Sequence, residues 1–149
     1  MNLDKFTQKA QEAILQAQQL AQEYNHQTIE PAHLLLALVQ QPEGVVPAIL
    51  TSVAGSTAAL RQELVKDLES RPRVYGSTHE TPGLSRPTSD ALTAAERFAK
   101  GMQDEYVSTE HILLALTESS EGKRLSQNGL TREAILKALT DVRGNQRVT

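Results

Sequence analysis

Two side chains able to pass a proton between them stand next to each other at Glu110 and His111, inside the stretch VSTEHILLAL, Val107 to Leu116. A carboxylate beside an imidazole can serve as a general acid–base pair. It can equally be the opening turn of a buried helix, because an unbroken apolar run follows at once. An earlier stretch, IEPAHLLLAL from Ile29 to Leu38, repeats the frame with His33 kept and Ala32 where the acid would stand. A histidine present in both copies suits a ring packed at the rim of a core with one nitrogen bonded to a neighbour. The glutamate is present in one copy only, so the packing does not require it, and its place near a helix N-terminus is worth only about 0.3 to 1 kcal/mol. Asp104 is in the same situation, since the first copy has His26 there. With Thr7, these acids either form the polar rim of a groove between the first helices of the two copies, or are unrelated surface and capping residues.

Other reactive arrangements are missing from the sequence. The four histidines (His26, His33, His79, His111) lack metal-ligand spacing, and there is no HExxH, no GxSxG and no glycine-rich phosphate loop. Gly122-Lys123-Arg124 has neither the upstream glycine nor the following Ser or Thr of a phosphate loop, so this chain carries no ATPase motif and no cofactor is expected in it. Without cysteine, disulfides and thiolate chemistry are ruled out. The fifteen Lys and Arg are dispersed in a chain of net charge −3, which argues against nucleic acid as a partner. The first residues lack a secretory pattern and no window approaches the ~20 apolar residues of a membrane span, so a soluble, cytoplasmic protein is expected.

The elements that must position these residues are helices. With five aromatic residues in 149, the core has to be built from Ala, Leu, Ile and Val, which suits closely packed helices better than a sheet. Shifting the chain against itself by 78 positions aligns Thr7–Leu38 with Ser85–Leu116, and a shift of 75 then places Leu50, Leu60 and Leu64 on Leu125, Ile135 and Leu139. Two copies of one helical unit therefore fill the chain. In each, an alanine-rich stripe is followed by a turn, a central leucine-rich helix, a brief third helix and a fourth amphipathic one. Thr7 is expected to cap the first helix, Pro31 to open the second, the third to start at Pro47, and Ser56 or Thr57 to cap the fourth. The boundaries are repeat 1 at 1–70, a Pro- and Gly-containing linker at 71–84 that is the expected mobile part, and repeat 2 at 85–144.

The segments LDKFTQKAQEAILQAQQLA (Leu3–Ala21), QTIEPAHLLLAL (Gln27–Leu38), LESRPRVYG (Leu68–Gly76), YVSTEHILLAL (Tyr106–Leu116) and VRGNQRVT (Val142–Thr149) resemble the double Clp-N repeat at the amino terminus of Hsp100/Clp AAA+ unfoldases, most closely in the ClpB, or disaggregase, branch. The resemblance covers the whole chain. It implies an all-α domain of two pseudo-symmetric four-helix repeats, with 145–149 beginning a tether to ATPase modules that bind ATP in a hexameric threading ring. It also implies engagement of unfolded or aggregated polypeptides, cooperation of the full-length protein with the Hsp70 system, and a monomeric isolated domain. By the same resemblance Thr7, Asp104 and Glu110 fall on substrate-contact positions, and Leu92 is a candidate for the apolar floor beside them. Related Clp-N domains dock adaptors or read phosphoarginine through a TEH motif in both repeats; here only Thr109-Glu110-His111 has it, opposite Pro31-Ala32-His33. A domain that gates the ring without binding clients is the third reading.

Overall fold

The computed structural model describes residues 2–75 and 81–144. The middle of the expected linker, with His79, and the expected start of the tether at 145–149 lie outside the described residues. Repeat 1 contains α1 (Gln8–Glu23), β1 (Thr28–Ile29), α2 (Pro31–Gln40), α3 (Val45–Ala54) and α4 (Ala58–Ser70). After β2 (Gly83–Leu84), repeat 2 contains α5 (Arg86–Gly101), α6 (Thr109–Leu116), α7 (Gly122–Gln127) and α8 (Arg132–Arg143). A single 3-10 turn, Leu3–Lys5, precedes α1.

Local chemistry accounts for most of these boundaries. The Thr7 hydroxyl accepts from the Ala10 amide (3.2 Å) and Thr131 does the same for Ala134, so α1 and α8 begin where a side-chain oxygen satisfies an orphan N–H. Pro31 opens α2 as expected. The third helix starts at Val45, two residues before the expected Pro47, because Gly44 at φ 127° makes the turn that admits it. At the fourth helix Ser56 accepts from the Ala58 amide, while the Thr57 side chain makes no cap.

The two leucine-rich helices, α2 and α6, pack against each other at the centre, with α1 laid on α2 and α5 on α6. Leu34, Leu35, Leu36 and Leu38 meet Ile112, Leu113, Leu114 and Leu116 in one continuous core. The third and fourth helices close the ends, α3 against α8 across the pseudo-twofold. Arg124 of α7 reaches Asp67 of α4, which Arg71 also holds (2.9 Å), so an ionic clamp joins the repeats there.

The short strands carry a feature that helical periodicity does not announce. β1 pairs in parallel with β2, Ile29 opposite Leu84, and Ser85 N–H donates to the Ile29 carbonyl (3.1 Å). Seventy-eight residues away in the repeat alignment, Phe6 bridges Val107, and Thr7 N–H donates to the Val107 carbonyl (2.9 Å). Each repeat is thus completed by the segment that leads into the other repeat's first helix. The tail of the expected linker is accordingly a paired strand, and its head is also held, with Val74 N–H donating to the Asn25 carbonyl (2.8 Å). Proline and glycine marked a break in helical pattern there, but the backbone found partners in trans to its own repeat.

Candidate functional site

The second residue after each first helix is in the left-handed region, Asn25 at φ 58° and Gln103 at φ 62°. Neither is glycine, so each turn is held at some cost by its surroundings. Both turn the next side chain inward. In repeat 1 that side chain is His26, whose Nδ1 lies 2.8 Å from Nε2 of His33. In repeat 2 it is Asp104, whose Oδ2 lies 2.7 Å from Nε2 of His111.

The backbone fixes the histidine tautomers. Glu30 N–H donates to His33 Nδ1 and Ser108 N–H to His111 Nδ1, both at 2.8 Å, so each ring carries its proton on Nε2 and donates inward. Burial holds His33 down at about 4, helped by His26 and Arg71, and burial likewise holds His26 below its ordinary value. His111 is also held down by burial, against the pull of the Asp104 hydrogen bond. The three rings are neutral at physiological pH, His33 and His111 donating from Nε2 and His26 accepting at Nδ1. Both His111 nitrogens are engaged and the ring is fully buried, so Glu110–His111 is not an acid–base pair.

Around Asp104 the two repeats diverge in charge. Arg143, in the last turn of α8, contacts Asp104 Oδ1 and lies 3.7 Å from Glu110. The side chains of Asp104, Glu110 and Arg143 are 0%, 3% and 9% exposed. In repeat 1 the aligned positions are His26, Ala32 and Leu68, all buried. An ionic cluster in one copy therefore replaces a neutral one in the other.

Two grooves show the same divergence. One, of about 280 Å³, is walled by Leu3, Ile14 and Leu15, with Ile29, Pro82 and Leu84 behind and Gln11 and Gln18 at its edge. The other, of about 690 Å³, is lined by Lys5, Thr93, Glu96, Arg97, Lys100, Glu105 and Val107, with Asp104 at its back. The repeat alignment relates them, setting Leu15, Gln18, Ile29 and Gly83 on Thr93, Glu96, Val107 and Lys5. Divergence has made one groove apolar and the other charged. Leu15, on the wall of the apolar one, is 54% exposed, a large apolar side chain left in water.

Residues 5–128 match the family described as Clp repeat (R) N-terminal domain. The chain belongs to the Clp_N family. It is 38% identical over 156 residues to the chaperone protein ClpB of Nitratidesulfovibrio vulgaris, covering 100% of this chain and 18% of that protein. To ClpB of Clostridium tetani it is 37% identical over 153 residues, again spanning only 18% of the relative's length. The Hsp104 N-terminal domain of Candida albicans superposes with a TM-score of 0.81 at 25% identity, over 97% of this chain and 95% of that one. The N-domain of ClpV in complex with a VipB peptide superposes at 0.77 and 21% identity over 100% and 96%, a likeness of fold alone.

Against this Clp_N fold the expected site residues divide. Thr7 is half-buried, and its backbone is bonded to Val107, so it lies against the loop that carries Asp104 and leads to Glu110. The three are brought into one neighbourhood, but Asp104 and Glu110 do not form an open polar rim: both are turned inward onto Arg143. Leu92 is not a groove residue. It is fully buried on the core face of α5, because the alanine-rich stripe that precedes and follows it is the face packed on α6. The residues that do line the apolar groove, Leu3, Leu15 and Leu84, were missed, since each falls off the helical stripe or in a segment without period. An exposed Leu15 beside buried Ile14 was the available signal.

Proposed function

We propose that the chain is the client-engaging N-terminal domain of a ClpB-type disaggregase, taking an exposed apolar segment of an unfolded or aggregated polypeptide into the groove walled by Leu3, Ile14 and Leu15. The observation that carries this reading is the contrast between the two related grooves, one of which has become apolar while the other is charged. The resemblance to ClpB and to a peptide-bound N-domain supports it. In this reading the client passes to a cytoplasmic hexameric ring whose ATPase modules lie outside this chain, and which works with the Hsp70 system.

The energetics suit a handover site. Apolar burial at about 25 cal/mol per Å² is non-directional, so many sequences bind weakly and none is held tightly. Thr7 can donate its hydroxyl proton to a client carbonyl while its oxygen accepts from Ala10. Asp104 and Glu110 act behind the surface, by holding the loop on which the N-terminal segment rests. Phosphoarginine reading by paired acids has less support, because Ala32 replaces one acid and Arg143 already faces the other.

The test is fluorescence anisotropy with a labelled, permanently unfolded casein. Leu15→Asp removes an exposed apolar contact without touching the core; full burial of such a side chain is worth about 1.5 to 3 kcal/mol, and with Leu15 54% exposed about half of that is open to a client, so affinity should fall about 4- to 15-fold. Equal binding by wild type and Leu15→Asp would remove the groove from the reading. An adaptor-docking or gating domain would bind no casein at all.

A further inference from the structure

The N-terminal segment lies between the two grooves and is tied to the end of the last helix. Leu3 forms one lip of the apolar groove, and Gln11 of α1 donates to the Leu3 and Phe6 carbonyls (3.1 and 2.9 Å). From there the chain pairs with the α5–α6 corner: Val107 N–H donates to the Lys5 carbonyl (2.8 Å) and Thr7 N–H to the Val107 carbonyl (2.9 Å). That corner begins at Asp104, which Arg143 grips from the last turn of α8, with Glu110 on its other side. Immediately after, Gly144 stands at φ 63°, where the helix stops and the backbone turns away. The groove lip, the corner and the end of α8 are consecutive members of one bonded series.

Repeat 1 shows that this series is not demanded by the fold. The mate of the Phe6–Val107 pairing, Leu84–Ile29, is present there with the same geometry, but Leu68 stands at the position of Arg143, and the charges of that helix end, Asp67 and Arg71, pair with each other and with Arg124 instead of with the corner residue His26. We propose that Arg143 is a latch that holds the end of α8 to the corner supporting the groove lip, so that occupation of the apolar groove and the order of the last turn of α8 are thermodynamically linked. The linkage is reciprocal: whatever loosens the latch loosens the lip, and a ligand that steadies the lip steadies the residues leading into Gly144. The groove-occupancy half of this proposal rests on the client reading above, while the latch itself does not.

Amide hydrogen exchange read residue by residue on the whole chain tests it. In Arg143→Gln, the amides of Thr7, Val107 and Gly144 should exchange about tenfold faster, a coupling within the usual allosteric range. The Ser85 amide, which makes the mate bond in the other repeat, is the internal control and should change little. Equal acceleration at all four positions, as global destabilisation gives, overturns the latch, and so does no acceleration at any. Should Arg143→Gln not fold, Arg143→Lys keeps the charge but loses the forked contact, and carries the same comparison. In the second arm, saturating wild type with unfolded casein should slow Thr7, Val107 and Gly144 but not Ser85. Bound casein with these amides unchanged refutes the linkage. If casein does not bind wild type, the client reading fails and the first arm alone decides the latch.

Discussion

Converting the ionic cluster of repeat 2 into its repeat 1 counterpart gives a sharp test of the pseudo-symmetry. The perturbation is the set Asp104→His, Glu110→Ala and Arg143→Leu, compared with Arg143→Leu alone. Arg143 faces two carboxylates whose side chains are 0% and 3% exposed, so removing it leaves buried negative charge with its principal cation gone. Breaking a buried pair in this way costs about 3 to 5 kcal/mol, whereas replacing the whole set by well-packed neutral groups is commonly neutral or stabilising. The histidine at 104 is chosen because His111 already donates from Nε2, as His33 does to His26 Nδ1. Urea unfolding followed by circular dichroism reads the result. With a slope of about 2 kcal/mol per M for a chain of this size, the single variant should lower the midpoint by about 2 M and the triple should restore most of it. A single-variant loss below about 1 kcal/mol, or a triple no more stable than the single, would show that the cluster is not a self-contained exchange between copies.

Three further outcomes follow from the packing. Because the folded His33 pKa, about 4, lies below its unfolded value, its contribution is complete above pH ~6.5 and is lost as pH falls toward 4; about 3 kcal/mol should go, and a urea midpoint flat from pH 7 to 4.5 would contradict this. Leu92→Ala should destabilise by about 2 to 5 kcal/mol as a core cavity while leaving casein affinity of the folded protein unchanged, the reverse of the pattern expected for Leu15→Asp. A Cβ at Gly122 would clash with the Thr117 carbonyl oxygen, so Gly122→Ala should cost about 1 to 3 kcal/mol by thermal unfolding, where the same change at solvent-open Gly101 should cost nothing.

The helices were legible because their signals are local. Alanine and leucine at three- and four-residue steps, Thr7 as a cap and Pro31 at a first turn act within one or two turns of themselves, and the internal repeat doubled every such signal. The two strands were not legible: two residues have no period, and Ile29 finds Leu84 through tertiary contact alone. Asp104 and Glu110 were singled out for the right reason, as charges that the first copy lacks, yet the inference from dispensable to exposed did not hold. The repeat alignment contained the missing partner. Arg143 falls on Leu68, the next step of the stripe formed by Leu60 and Leu64, and a cation on a core stripe opposite two unmatched acids indicates internal compensation. Leu92 shares the stripe of Ala91, Ala95 and Ala99, which the structure buries throughout, so the same periodicity that marks the helix places it inward.

The reciprocal pairing of Phe6 with Val107 and of Leu84 with Ile29 also governs how the chain can be made. Synthesis runs from the N-terminus, so Phe6 waits for its partner until Val107 has left the ribosome, when repeat 1 and the first helix of repeat 2 are already out. Repeat 1 likewise lacks its closing strand until Leu84 emerges. Neither half can finish as an independent unit on the way out, and the leucine face of α2 that packs on α5 and α6 stays uncovered meanwhile. Such distant pairings slow folding and lengthen exposure to aggregation. A nascent Clp_N domain of this design therefore spends its first moments presenting exposed apolar segments of its own.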